Sequence, residues 1–426
     1  HNIPISNLLS KFAWYLYVFS IWCYGIIQFM KAIYYQIPKA KKGKSIYNSA
    51  FFINLTANNF PASNSVKKSY DLLTWYSNWK HRNKLITGVS HNFNSIKITK
   101  VNKLQVVKSK KEFREFTSWK QFIFFIIWGL YASSRSFIDL LIGRWWHPLL
   151  LSEAVKAHIV FLHKKEDLHA EYWFSHTNYT YKPIWTYNAE KKGSRLFLYF
   201  YSINNHAIQP KYDKNYSIGN WHLMNWPNYI AWGKYNKKFL KQYVSKKSQI
   251  FVEENLYFSD SNKKIPQIKG LAIAVFDIQP HRPYNHAKNA QVFEYYHPKT
   301  SKIFFENILK LSKEHNIKIL WKKKRVIGKS EHGYYRSLSK KLEIDENVIC
   351  IDPTISAYRV IERADLVISM PFTSTAMIAN NLGKPSCYYD AINIISKNEK
   401  NSHGISVIKE YSNLDEWLKK NLKRVN

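Results

Sequence analysis

Apolar and polar positions follow three regimes along this chain. The first is residues 12–30, FAWYLYVFSIWCYGIIQFM, nineteen positions without a charge. Lys11 and Lys31 flank the stretch and KAKKGK follows at 39–44. The length suffices to cross a bilayer. The density of Trp and Tyr favours a helix lying in the headgroup zone, and a buried core helix satisfies the same pattern. A second apolar stretch, Phe122–Ser134, is too short to span and predicts another interfacial or core helix. In the second regime, residues 60–115, the pattern is polar and mixed and predicts short strands and loops.

From about residue 168 the pattern becomes regular. HAEYWFS, RLFLYFYS, NYIAWG and SQIFVE read as strands. KPIWTYNAEKKG, closed by Gly193, and KYNKKFLKQYVSK read as helices. The alternation restarts after Lys263, Lys264 and Pro266. LAIAVFD, IKILW, NVICID, DLVIS and PSCYYD predict five strands. KTSKIFFENILKLSKEH, YYRSLSKKL, TISAYRVIERA and TSTAMIANNLG predict the four helices between them. Alternating β and α elements predict parallel sheets. The expected fold class is α/β, with two Rossmann-like domains facing a cleft. The expected divisions are an aromatic helical segment over 1–45, an N-terminal domain over 46–262 and a C-terminal domain over 263–426.

In open parallel sheets, ligands bind beyond the carboxyl ends of the strands. In the second domain those ends carry Asp277, Gln279 and Arg282, then Lys322, Lys324 and Arg325 in the run Lys322–Arg325, then Ser369, Thr373, Ser374 and Thr375. The hydroxyls sit where a helix begins, beside free N–H groups and the positive end of the helix dipole. That arrangement suits a phosphate. A helix cap accounts for one such hydroxyl but poorly for four. The basic run adds positive charge across the same edge. Asp277 reads as a base, a nucleophile or a ribose ligand, or else as a loop cap. In the first domain, Glu153 and Glu190 are the candidate catalytic carboxylates. Trp185 and Trp232 are candidate platforms for acceptor sugars, with core packing as the alternative.

Composition changes this picture in two ways. The chain has 426 residues, 46% of them hydrophobic, which excludes disorder and accommodates two cores. Its formal net charge is +35, from 64 Lys+Arg against 29 Asp+Glu. Such a surface attracts polyanions. No zinc finger or RNP-like signature accompanies the charge, so nucleic acid is not an expected partner. An anionic membrane surface and a nucleotide-linked substrate are. Cys23, Cys350 and Cys387 are far apart and show no metal spacing.

The segment VISMPFTSTAMIANNLGKPSCYYD, with Pro371-Phe372-Thr373-Ser374, resembles the surface polysaccharide biosynthesis family named for its PFTS motif. PIWTYNAEKKGSRLFLYFYS at 183–202, MNWPNYIAWGKY at 224–235, LYFSD at 256–260, IAVFDIQPHR at 273–282 and ILWKKKRVIGK at 319–329 extend the resemblance over roughly residues 140–400. The arrangement is also similar to GT-B transferases that use CMP-activated ulosonic sugars, Kdo or sialic-acid-like. Their Ser/Thr motif at the donor phosphate matches Ser374 and Thr375. Their His-Pro pair is replaced here by Lys322–Arg325, while His297-Pro298 stands before a helix. The resemblance implies a glycosyltransferase of capsule or O-antigen synthesis, with a nucleotide-sugar donor and a glycan or lipid-linked acceptor. It implies a cytoplasmic enzyme, peripheral or monotopic at the inner membrane. With no Asp-x-Asp motif, neither a metal nor a cofactor is expected, the nucleotide sugar being a substrate. A non-hydrolysing nucleotide-sugar epimerase and a non-catalytic polyanion-binding assembly protein are the alternatives.

Overall fold

The charge-free N-terminal stretch forms one 30-residue helix, α1 (Asn7–Gln36), opened by Ser6, whose Oγ accepts from the Leu9 N–H. The computed structural model describes residues 6–39, 45–61, 71–94, 98–109, 111–200, 202, 221, 223–253, 261, 263–282, 297–396 and 402–425. Most of Lys39–Lys44 and the whole of the 256–260 segment therefore lie outside the described residues.

The first domain continues with β1 (Ser49–Phe52), α2 (Leu72–Asn78), β2 (Gly88–His91), β3 (Lys100–Val101) and β4 (Leu104–Lys108). Two long helices follow, α3 (Trp119–Leu141) and α4 (Trp146–Leu162). Then come β5 (Glu171–Ser175), α5 (Ile184–Lys191), β6 (Arg195–Tyr199), β7 (Asn228–Trp232), α6 (Gly233–Tyr243) and β8 (Gln249–Glu253). The strands form one sheet in the order β3-β4-β2-β1-β5-β6-β7-β8. Every pairing is parallel except β3 with β4. The short strands expected over 60–115 thus complete this sheet.

The second domain contains β9 (Ala272–Phe276), α7 (Pro298–His315), β10 (Lys318–Lys322), α8 (Gly333–Glu343), β11 (Val348–Ile351) and α9 (Ala357–Arg363). It ends with β12 (Leu366–Ser369), α10 (Ser374–Asn381), β13 (Ser386–Asp390), β14 (Ser406–Lys409) and α11 (Tyr411–Val425). Its six parallel strands run β11-β10-β9-β12-β13-β14. That is one strand and one helix more than the pattern predicted. Strands such as AIAVF are buried at every position, as expected of a parallel sheet covered on both faces. Both sheets reverse direction once: between β1 and β5 in the first, between β9 and β12 in the second. These are the topological switch points where open α/β sheets hold ligands. The architecture is GT-B-like, two Rossmann-like domains.

The aromatic segment expected as a separate unit packs as part of the first domain. Phe29 of α1 meets Phe125 of α3 at 5.5 Å. Gly129 lets the helices approach: a Cβ there would lie 2.0 Å from the Phe29 ring. Tyr15 of α1 lies edge-on to Trp145 at the start of α4, 4.6 Å away. α3 has 23 residues rather than the short stretch expected. Ser118 caps its start, and it continues past the apolar run through Arg135 and Asp139, whose charges meet each other. The domains also touch. A Cβ on Gly233, at the start of α6, would lie 3.4 Å from Met377 of α10, and one on Gly404 would strike the Tyr235 hydroxyl at 2.5 Å.

Candidate functional site

The site grows from the end of β12. Ser369 pairs with Phe276 of β9 across the switch point. The chain then turns sharply, with the Thr373 N–H donating to the Met370 carbonyl at 3.3 Å. Pro371 suits the second position of such a turn, and Phe372 takes a left-handed φ of 64°. For a bulky residue that conformation costs on the order of 1–2 kcal/mol and is held only by its surroundings. Here the buried Phe372 ring packs against Tyr388 at 5.4 Å, and the Tyr388 hydroxyl donates to the Thr373 carbonyl at 3.1 Å. The turn delivers the chain directly into α10.

Thr373 occupies the N-cap position, but its side chain does not cap the helix. Its Oγ1 donates to the Met370 carbonyl at 3.0 Å and lies 3.1 Å from Thr375 Oγ1. Thr375 Oγ1 lies 2.9 Å from the buried Ser369 Oγ. Three of the four predicted hydroxyls therefore form one chain. The first-turn N–H groups of α10 receive no cap from Thr373, and the positive helix end faces the switch point. Such a terminus is an anion site.

Next to it, β9 continues as Asp277–Arg282 and runs beside the loop 328–332. The Arg282 N–H donates to the Ser330 carbonyl at 3.1 Å, and the His332 N–H to the Pro280 carbonyl at 2.9 Å. Gln279 is buried and donates to the Arg325 carbonyl at 2.9 Å, which ties the basic run to this strand. Lys322 is turned inward, its ammonium donating to the carbonyls of Lys323 and Pro353. Lys323 pairs with Glu343. Lys324 belongs to the exposed run, yet desolvation of its ammonium, then the neighbouring Arg325 charge, hold its pKa below the ordinary lysine value. Arg325 and Arg282 are exposed at the same edge.

Asp277 does not face outward as expected. It is only 4% exposed, and both its carboxylate oxygens are occupied. Trp321 Nε1 donates to Oδ1 at 3.1 Å and the Tyr335 hydroxyl to Oδ2. Burial raises its pKa against the pull of these two donors. The strand end turns the carboxylate toward α8, so it braces β9, β10 and α8 behind the site.

The expected acceptor platforms are core residues. Trp185 is wedged among Phe113, Tyr172 and Phe174, with ring distances of 4.9–5.9 Å. Trp232 has no exposed surface, and Asn236 accepts from its backbone N–H at 3.0 Å. Neither indole offers a face to a sugar. Glu153 accepts the Ile184 N–H at 3.1 Å and so caps α5 from outside, which a carboxylate at a helix start does well. Burial raises its pKa, against the pull of Lys156. Glu190 is ion-paired with the buried Lys182.

Two groups were not anticipated. Glu331 is buried at the site edge and accepts from the Gly328 N–H at 2.6 Å and the Ser330 hydroxyl at 2.9 Å. Burial raises its pKa, but these bonds outweigh it and leave a net depression. An acid between Ser330 and His332, just before a helix, was the available signal. His176 follows β5 at the switch point of the first domain, its ring 4.9 Å from that of Phe200. Burial lowers its pKa to about 4, so the imidazole is neutral at pH 7. His297, the alternative His-Pro position, caps α7 through Nδ1, with Pro298 in the first turn. Among the described residues one triad could offer metal ligands: Glu314, His315 and Asp415. It lies where α7 ends, at the opposite edge of the sheet, and its members already bond to Tyr411, Lys419 and one another.

A sequence profile described as "Polysaccharide biosynthesis PFTS motif protein" matches residues 132–418. The chain belongs to that family. The Pro371–Ser374 motif for which the family is named is the turn that leads from β12 into α10. No curated protein matches this PFTS protein. Among solved structures it is similar to a UDP-GlcNAc 2-epimerase from Methanocaldococcus jannaschii, at 11% identity and a TM-score of 0.42, over 88% of this chain and 91% of that one. It is also similar to a UDP-glucosyltransferase from Polygonum tinctorium, at 9% identity and a TM-score of 0.40, over 88% and 91%. TarM is a third, at 15% identity and a TM-score of 0.32. That match covers 65% of this chain and 51% of TarM, so the chain spans about half the length of that relative.

Proposed function

We propose that this PFTS protein is a glycosyltransferase of bacterial surface polysaccharide synthesis. Its second domain binds the phosphate of a nucleotide-activated sugar, and its first presents a glycan or lipid-linked acceptor. The observation that carries this reading is the placement, at the carboxyl edge of one sheet, of the Pro371 turn, the start of α10 that the Thr373 side chain does not cap, and the exposed cations Lys324, Arg325 and Arg282. As the donor bond breaks, negative charge gathers on the leaving nucleotide. Fixed N–H dipoles and guanidinium groups stabilise that charge without reorganising. In this reading they supply what a divalent cation supplies elsewhere. Ser374 and Thr375 lie at the phosphate; Asp277 positions Trp321 and Tyr335 and does not touch the sugar. His176, neutral and at the facing switch point, takes the proton from the acceptor hydroxyl. The resemblance of Ser374-Thr375 to the donor motif of CMP-ulosonic transferases supports a CMP-linked donor and a role in capsule or O-antigen synthesis.

The apolar outer faces of α1 and α3 support action at a membrane surface. Both helices are long and apolar enough to cross a bilayer, and most of each is uncovered by protein. Trp and Tyr along α1 suit a helix lying in the headgroup zone of an anionic leaflet.

A thermal-shift series with CMP, UDP, GDP and their sugars tests the donor, followed by product analysis. A shift with CMP nucleotides and transfer to an acceptor supports the reading. A shift with UDP-sugars and a product epimerised on the nucleotide overturns it.

A further inference from the structure

α1, α3 and α4 do more than cover the first domain. α4 runs antiparallel to β5. Near its middle Glu153 meets Ile184, at the start of α5 and the carboxyl edge of the sheet. Near its end the Val160 and Phe161 carbonyls accept from Lys192, where α5 finishes at the amino edge. The residues before Glu153 add about 10 Å of helix beyond the carboxyl edge, at 1.5 Å per residue. The end of α3 and the first half of α1 accompany them, through Trp22 to Ser136 at 3.0 Å and Tyr15 to Trp145. The helix tip therefore overhangs the edge on which the first domain carries its switch point.

This tip has an unusual composition. Asp139 is fully buried in it, and three cationic or protonatable side chains gather on its carboxylate. His147 Nδ1 lies at 2.5 Å, Arg135 Nε at 3.4 Å and Arg144 Nη1 at 3.9 Å. Arg135, Arg144 and His147 are about half or more exposed. Around them stand exposed apolar side chains: Ile138, Leu141, Ile142 and Trp146. Behind them stretch the charge-free bands of α1 and α3. The two helices are antiparallel, so Lys11 and Arg135 bound these bands at the tip, and Lys31 and Lys120 at the other end.

We infer that the tip binds the exposed phosphomonoester of an anionic lipid headgroup in a bilayer, through Arg135, Arg144 and His147 held in place by Asp139. This rests on the membrane-associated reading above. Two guanidinium groups against one carboxylate leave net positive charge. Arg135 meets Asp139 through Nε, so its terminal amino groups remain to grip phosphate oxygens as a fork. The encircling apolar residues select a phosphate at a lipid surface over one in solution. Bound there, the membrane-held acceptor stands at the carboxyl edge of the first domain.

Co-sedimentation of the full chain with vesicles tests the inference, using phosphatidylcholine alone or mixed with phosphatidic acid. Arg135→Gln with Arg144→Gln is expected to lose about tenfold or more in affinity for the phosphatidic-acid vesicles, and Arg144→Gln alone about fivefold. Binding to phosphatidylcholine alone should not change, and neither should CMP binding in solution. Arg144 touches Asp139 only at 3.9 Å, so its single variant leaves the fold intact, and Arg135→Lys with Arg144→Lys should restore only part of the binding, because lysine keeps the charge but offers no fork. Lys237→Gln with Lys241→Gln, on α6, is the charge control and should bind as wild type. The inference is overturned if wild type shows no preference for phosphatidic acid, if the arginine variants bind like wild type, or if the lysine control loses as much. Displacement by millimolar glycerol phosphate would assign the site to a soluble phosphate and also overturn it. Loss of nucleotide binding by wild type, with vesicle binding kept, would sink the transferase reading alone.

Discussion

The two domains share a strand order around their switch points but differ in what covers them. In the second domain the outer helix faces are charged. α7 carries Lys302–Glu306 and Lys310–Glu314, and α11 carries Asp415–Lys419, all spaced one turn apart. In the first domain α1 and α3 expose Phe12, Leu16, Ile127 and Tyr131, among others. One sheet is dressed for water and the other for an apolar neighbour. On the proposed reading the two surfaces divide two tasks: phosphate binding falls to the domain with charged outer helices, and acceptor presentation at a membrane to the domain with apolar ones.

The largest expected effect breaks the helix layer. Gly129→Leu would drive a side chain into Phe29 and should cost about 3 kcal/mol, with denaturant unfolding as the measurement. A loss under about 0.5 kcal/mol would mean that α1 is not seated on α3 as described.

A smaller effect is expected at Asp277. Replacing it by Ala strands the Tyr335 hydroxyl and the Trp321 N–H in the interior, at a cost of about 2 kcal/mol. Its pH signature distinguishes Asp277→Asn. Because the folded-state pKa is raised, ionisation opposes folding. The contribution is most favourable below the ordinary Asp value and is lost as pH rises toward the raised folded value. The stability of wild type relative to Asp277→Asn should therefore fall as pH rises from 4. A difference that grows with pH would contradict the assignment.

The smallest stability effect sharpens the contrast between surfaces. Ile127→Asn with Tyr131→Asn on α3 should change unfolding by no more than about 0.5 kcal/mol yet weaken binding to phosphatidylcholine vesicles. Ile344→Asn, at a still more exposed position on the second domain, should change neither.

The alternation of strands and helices after residue 168 was legible because apolar strand bodies alternate with amphipathic helices and are separated by Gly, Pro or polar residues. So was the Pro371 turn, whose chemistry is local. The direction of Asp277 was not. A strand buried on both faces shows no alternation, and nothing in LAIAVFD says which side the next carboxylate takes. Trp185 and Trp232 failed for a related reason. An indole serves a sugar or a core equally well, and only the helices packed over β5, β6 and β7 decide between them. His176 was hidden because its significance lies in the β1–β5 reversal, a property of topology. The full length of α3 was obscured by Arg135 and Asp139, which read as an end and pair as a continuation.

On the proposed reading the start of α10 is a phosphate site rather than a capped helix end. Ser374→Asp separates the two. A carboxylate in the first turn favours the helix dipole, so thermal stability should hold or rise slightly. The same charge repels a bound phosphate. Calorimetric titration of the full chain with the best-binding nucleotide should show affinity reduced by about tenfold or more, in a protein that unfolds no earlier than wild type. Unchanged nucleotide affinity in Ser374→Asp would place the donor elsewhere and contradict the account.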